Sequence, residues 1–113
     1  MIEIKRVFHA VLLAAAMTGP VWADGETVIV ETHDFKFKPA ELTVKVGTTV
    51  RWLNTEKRQY HSVWFRELGE EPGEYFFPEE YVERTFDKPG TYHYVCEPHE
   101  KSDGMKGVIH VVE

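Results

Sequence analysis

The feature that most limits the fold of this chain is a series of short segments in which apolar and polar residues alternate with period two, each stopped by turn chemistry. Thr27-Val28-Ile29-Val30-Glu31-Thr32 and Leu42-Thr43-Val44-Lys45-Val46 carry the alternation, and Gly47 separates the second from Thr49-Val50-Arg51-Trp52-Leu53. Further strand-like runs are His61 to Phe65, Tyr81 to Phe86, Thr91 to Cys96 and Gly107 to Val112, divided by "NTEKRQ", "GEEPGE" and "DKPG". Alternate side chains of a strand face opposite sides of a sheet, so each run buries one face and wets the other. After residue 23 no stretch sustains a helical period, and no internal repeat or second domain stands out. About seven short strands with regular turns predict an all-β antiparallel sandwich.

The start of the chain reads differently. Lys5 and Arg6 precede the apolar run Val7 to Met17, followed by Thr18-Gly19-Pro20 and the small-residue pattern Val21-Trp22-Ala23. That order is the signature of a secretory signal peptide over 1–23, cleaved after Ala23. The apolar stretch is well short of the roughly 20 residues that span a bilayer. The expected mature chain is a single domain over 24–113, exported to the periplasm with no membrane attachment after cleavage.

Charge narrows the partners. Removing Glu3, Lys5 and Arg6 from 13 basic and 19 acidic residues leaves 11 and 18, a formal charge of −7. Nucleic acid is thereby disfavoured as a ligand. Seven of the acids (Glu67, Glu70, Glu71, Glu74, Glu79, Glu80 and Glu83) fall in one run without Lys or Arg between the first and the last. Such a run is ordinarily a solvated face; the alternative is that it steers a basic partner.

A lone cysteine forbids an internal disulfide, and in an oxidising compartment a free thiol has to be buried or ligated. Cys96 opens the stretch "CEPHEKSDGM", which also holds His99 and Met105. Taken singly, these could be a buried inert thiol, a solvated loop histidine and a methionine filling the end of a core. Taken together, they bring a soft thiolate, an imidazole and a thioether into one loop, as a copper site requires. In "FDKPGTYHYVC" the turn Asp87-Lys88-Pro89-Gly90 feeds a strand with Tyr92, Tyr94 and Cys96 on one face and His93 and Val95 on the other. Tyr92, just after the turn, predicts a tyrosine corner tied back to the turn backbone.

Through "FKFKPAELTVKVGTTVRWLN", "HSVWF", "FDKPGTYHYVC" and the Cys-x2-His loop with its later Met, the chain resembles the cupredoxins, small copper proteins that include plastocyanin, pseudoazurin and amicyanin. The resemblance covers nearly all of the expected mature domain. It implies a Greek-key β-sandwich of about seven to eight strands and one copper ion per chain. It also places the second histidine ligand at His61, giving the set His61, Cys96, His99 and Met105, with Met105 axial. Zinc could use the same donors, but divalent copper binds more tightly. The implied function is a soluble, type 1-like electron carrier cycling Cu(I)/Cu(II). It would serve a redox partner such as a cytochrome or oxidoreductase, and it would be a monomer and not an enzyme. The alternative is a periplasmic copper-handling protein for sequestration or tolerance.

The chain departs from the family pattern at three points. Five residues, "EKSDG", separate His99 from Met105, more than family members place there. Ser62 stands where an asparagine usually follows the first histidine, and its hydroxyl can still bond the backbone near Glu97. Val95 replaces the tyrosine that precedes the cysteine in plastocyanin, so a plant-type partner surface is not implied. His33, His93 and His110 sit in apparent strands with exposed or packing roles, although "THDFKF" is expected to approach the metal-bearing end.

Overall fold

The computed structural model of the chain describes residues 3–6 and 25–113. The rest of the expected leader, including its cleavage point, lies outside the described residues. The strands are β1 (Glu3–Arg6), β2 (Thr27–His33), β3 (Lys36–Lys38), β4 (Glu41–Lys45), β5 (Thr48–Asn54), β6 (Glu80–Phe86), β7 (Gly90–Val95) and β8 (Lys106–Val112). One sheet has the order β1-β6-β5-β2-β3 and the other β4-β8-β7. Among the described residues, helical pieces are limited to a 3-10 turn over Arg66–Leu68 and the single turn α1 (Glu100–Asp103).

The sandwich is as expected, but its pairing is mixed. β2 runs parallel to β5 from Thr27↔Thr49 to Thr32↔Asn54, and β4 runs parallel to β8. Connectivity explains the first case. β3 and β4 are divided only by Pro39 and Ala40 yet lie in different sheets, because Pro39 has no N–H to continue a ladder. The two-residue link at Val46 and Gly47, the latter at φ 91°, then sends the chain back. Two reversals return β5 beside β2 in the same sense.

Alternation decides which side chains meet between the sheets. In β5, Thr48, Val50, Trp52 and Asn54 are buried, and Thr49, Arg51 and Leu53 are only partly so. The interior is aromatic, with Tyr94 at its centre: its ring lies 4.7 Å from Phe37, 5.3 Å from Trp52 and 5.4 Å from Phe65, centroid to centroid. Tilted and edge-on pairs at such distances add to the burial of area. The tyrosine corner is present: the Tyr92 hydroxyl donates to the Lys88 carbonyl at 2.7 Å.

His61 to Phe65, expected as a strand, joins no ladder. It is clipped by isolated bridges, His61↔Phe76 on one side and Trp64↔Val95 on the other. The segment touches β7 only at Val95 and is held at its start by Phe76, which lies in neither sheet.

Gly107 pairs with Tyr94 across β7 and β8. A Cβ there would fall 2.4 Å from both the Tyr94 Cζ and its hydroxyl oxygen, at the centre of the aromatic core. Gly107→Ala is therefore expected to cost about 1–3 kcal/mol, the usual range for overpacking. Urea unfolding would register this as a lower midpoint at unchanged slope. An unshifted midpoint would mean that Tyr94 moves aside without cost.

Candidate metal centre

The site is built at the end of the β7–β8 ladder. One residue past β7, the Cys96 N–H donates to the Met105 carbonyl at 3.0 Å, so the loop from 96 to 105 leaves and rejoins the sheet at one rung. Inside the loop, His99 N–H returns to the Cys96 carbonyl at 3.1 Å. The residues "EKSDG" then wind into α1, which ends at Gly104 in left-handed conformation, φ 62°, with its N–H on the Glu100 carbonyl at 2.8 Å. The added loop length is thereby taken up as one helical turn without parting Cys96 from Met105. A single turn is too short to show a hydrophobic period, so no local pattern marks it.

His61 reaches the same point from the bridged segment. The neighbouring Ser62 holds both ends of the contact: its N–H donates to the Cys96 Sγ at 3.3 Å, and its hydroxyl accepts the Glu97 N–H at 3.0 Å. The hydroxyl thus makes the bond expected of it. The Cys96 Sγ lies 3.7 Å from the His61 Nδ1 and 3.4 Å from the His99 Nδ1. The three ligating atoms all fall within 4.8 Å of one another. His61 and Cys96 are fully buried, and His99 keeps 9% of its surface exposed. Met105 is buried in the adjoining core.

Burial favours the neutral forms of Cys96 and His61 until a cation arrives. Burial pushes the Cys96 thiol up to about 11, against the downward pull of the Ser62 and His99 backbone N–H groups. Burial also lowers His61, as does His99 nearby, while Glu56 opposes the shift. Glu56 Oε1 lies 3.4 Å from the His61 Nε2, which has no hydrogen-bond partner of standard geometry. A carboxylate on that side favours the proton on Nε2 and leaves the Nδ1 lone pair facing the sulfur. One soft sulfur and two imidazole nitrogens, dry and convergent, fit a copper ion.

The other histidines stand apart from this centre. His93 is exposed, and the His110 Nε2 lies 2.6 Å from Glu41 while its Nδ1 lies 3.2 Å from the Thr91 hydroxyl. His33 sits with its Nδ1 3.1 Å from the Thr55 carbonyl. The "THDFKF" segment does reach the site, through Phe35, whose ring stands edge-on to both His61 and His99. Sequence reasoning missed Phe35 as a neighbour of the site, and also Glu56 and Tyr60. Nothing in residue type marks an aromatic as adjacent to a histidine distant in sequence, or turns the nearby Glu56 toward the His61 ring.

Residues 24–112 match the family model of copper binding proteins, plastocyanin/azurin family. The chain belongs to that family. Amicyanin of Paracoccus denitrificans is 41% identical over 81 residues, an alignment covering 68% of this chain and 60% of that protein's length. Amicyanin-alpha of Methylorubrum extorquens is 34% identical over 108 residues, covering 92% and 87%. Among solved structures, an amicyanin variant in its Cu(I) form superposes with a TM-score of 0.68 at 36% identity, covering 79% of this chain and 84% of the other. The cofactor is copper, one ion per chain, consistent with the single His61-Cys96-His99 group found among the described residues.

The raised thiol gives a pH signature to the metal-free protein. The unfolded thiol loses its proton near 9 and the folded one near 11, so the stability that this group contributes is complete below 9 and lost as pH climbs to 11. The expected loss is on the order of 2–3 kcal/mol. Comparing urea unfolding of the metal-free protein with that of Cys96→Ala over this range isolates the effect. Parallel pH profiles would mean that the thiol is no harder to ionise when folded.

Proposed function

We propose that this chain is an exported, periplasmic electron carrier, its copper held by His61, Cys96 and His99 with Met105 as a weaker fourth donor. The observation that carries the reading is the dry convergence of one sulfur and two Nδ1 atoms, with only the His99 ring reaching the surface. Copper supplies a one-electron couple in a geometry tolerable to both oxidation states. The protein supplies rigidity: the thiol, both imidazoles and the Met105 backbone are fixed by the ladder rung, by Ser62 and by the core.

His99 emerges within an exposed aromatic group. Tyr60 lies 5.9 Å from the His99 ring and 4.8 Å from Tyr75, on which it stacks, and Phe77 adjoins at 5.7 Å. A redox partner docked on this patch would sit one side chain from the metal. The remaining histidines are already partnered or distant, which supports a single-site carrier over a copper-handling protein. A buried site whose donors would fill the coordination of a bound copper would leave little room for a substrate, which supports a carrier over an enzyme.

Part of the acidic run is structural. Glu70 forms a two-pronged pair with Arg84 at 2.8 and 2.6 Å, Glu83 pairs with Arg51 at 3.0 Å, and Glu80 accepts the Phe77 N–H. Steering of a basic partner falls instead to exposed members such as Glu71 and Glu74.

Two substitutions test the reading. Copper-loaded protein is expected to show an intense thiolate-to-copper band and a reversible couple in cyclic voltammetry, and Cys96→Ser should abolish the band while the sandwich stays folded. A band that survives removes Cys96 from the donor set. Met105→Leu conserves volume and should cost less than about 1.5 kcal/mol in stability. It should retain copper and raise the potential, because loss of a weak donor disfavours Cu(II) more than Cu(I). Unchanged spectrum and potential would make Met105 a core residue only.

A further inference from the structure

Asp34 and Phe35 form the two-residue turn between β2 and β3, with His33 and Lys36 paired across it. Both have left-handed backbone, φ 55° and 56°. Turns of this kind favour Asn-Gly or Asp-Gly, since glycine alone meets no Cβ penalty at positive φ. Asp34 suits the first position. A phenylalanine at the second is a conformational outlier, and such strain persists only where surrounding contacts over-determine it.

Those contacts all lie at the metal end. The Phe35 ring stands edge-on to His99, 4.9 Å between centroids at 81°, and edge-on to His61 at 6.2 Å and 82°. Its backbone N–H donates to Glu56 Oε1 at 3.1 Å, the same oxygen that lies 3.4 Å from the His61 Nε2. Glu56 is held in turn by its own N–H on the Asn54 Oδ1 at 2.8 Å. The turn and one imidazole therefore share a carboxylate oxygen, and one ring backs both imidazoles. The other contacts of the turn, Asp34 with Lys38 at 3.3 Å and with His33 at 3.5 Å, are exposed, and exposed pairs hold little.

We propose that Phe35 is a positioning residue for the copper centre: its ring, kept in a strained turn, fixes the orientation of the His61 and His99 imidazoles and closes that side of the site to water. The proposal rests on the reading of His61, Cys96 and His99 as copper donors. It accounts for a bulky side chain where the turn itself calls for glycine.

The test compares Phe35→Gly, Phe35→Leu and Asp34→Gly in the full chain. Phe35→Gly is expected to bind copper about ten- to a hundredfold more weakly in competition with a chelator, the range typical of groups that orient metal ligands, and to shift the visible band. Phe35→Leu keeps apolar cover without the ring edge and should fall between Phe35→Gly and the native protein. Asp34→Gly relaxes the neighbouring residue without touching either donor imidazole, since the ring that Asp34 meets is that of His33, and should match the native spectrum and affinity. In metal-free protein, Phe35→Gly should shift the imidazole resonances of His61 and His99 in NMR while its urea midpoint stays near native, since relief of strain offsets the lost ring. Native copper affinity together with native imidazole resonances in Phe35→Gly would overturn the proposal. If that variant does not fold, the same pair of results in Phe35→Leu would do so. A native chain that takes up no copper would sink the donor reading alone, because the metal-free resonances still decide the role of Phe35.

Discussion

The hydrogen bond from the Cys96 N–H to the Met105 carbonyl is the rung on which the site depends. It extends the β7–β8 ladder by one step and so fixes, with the stiffness of a sheet, the two residues between which the metal loop is strung. Everything between them can then vary in length. The turn at His99 and the single helical turn of α1 absorb the extra residues, and Gly104 closes the helix in a conformation that glycine adopts at little cost. A longer loop hung from less rigid ends would scatter the donors.

The second half of the site is carried by a segment that belongs to neither sheet. His61 is brought to Cys96 because its segment is clipped to Phe76 and Val95, and because Ser62 bonds both the sulfur and the backbone of Glu97. Ser62 stands where an asparagine is usual in this family; its hydroxyl oxygen accepts the Glu97 N–H, and its backbone N–H donates to the sulfur. Around this contact the aromatic core excludes water. That exclusion raises the thiol and lowers His61, so in the absence of metal these two rest neutral, and uptake of a cation must release the thiol proton.

Polar groups on the same end are shared between structure and site. Glu56 joins the β2–β3 turn to His61, and Arg66 forms a two-pronged pair with Glu100 at 2.9 Å, bracing the 3-10 turn against α1 from outside. The pair is exposed and adds little to stability. It does tie the first residue of α1, directly after His99, to a second element. In the acidic run, Glu70 and Glu83 likewise act within the fold, so net charge overstates what that face offers a partner.

Alternation, turn residues and the Cys-x2-His loop with its later Met made the sandwich, its core faces and the thiol-centred loop legible in the sequence, because these depend on local period and residue chemistry. The tyrosine corner was legible for the same reason, whereas His61 as a donor and the bond made by Ser62 were implied by the family resemblance alone. Only the tertiary structure decided that two strand pairs run parallel, that His61 to Phe65 joins no ladder, and that "EKSDG" forms a helical turn. It alone also revealed Phe35 and Glu56 beside the donors. Pairing sense follows from how the chain reverses and changes sheet, and proximity follows from packing between segments some twenty to sixty residues apart in sequence. Neither leaves a local pattern, so a strained phenylalanine in a tight turn reads in the sequence as one more apolar residue of a strand.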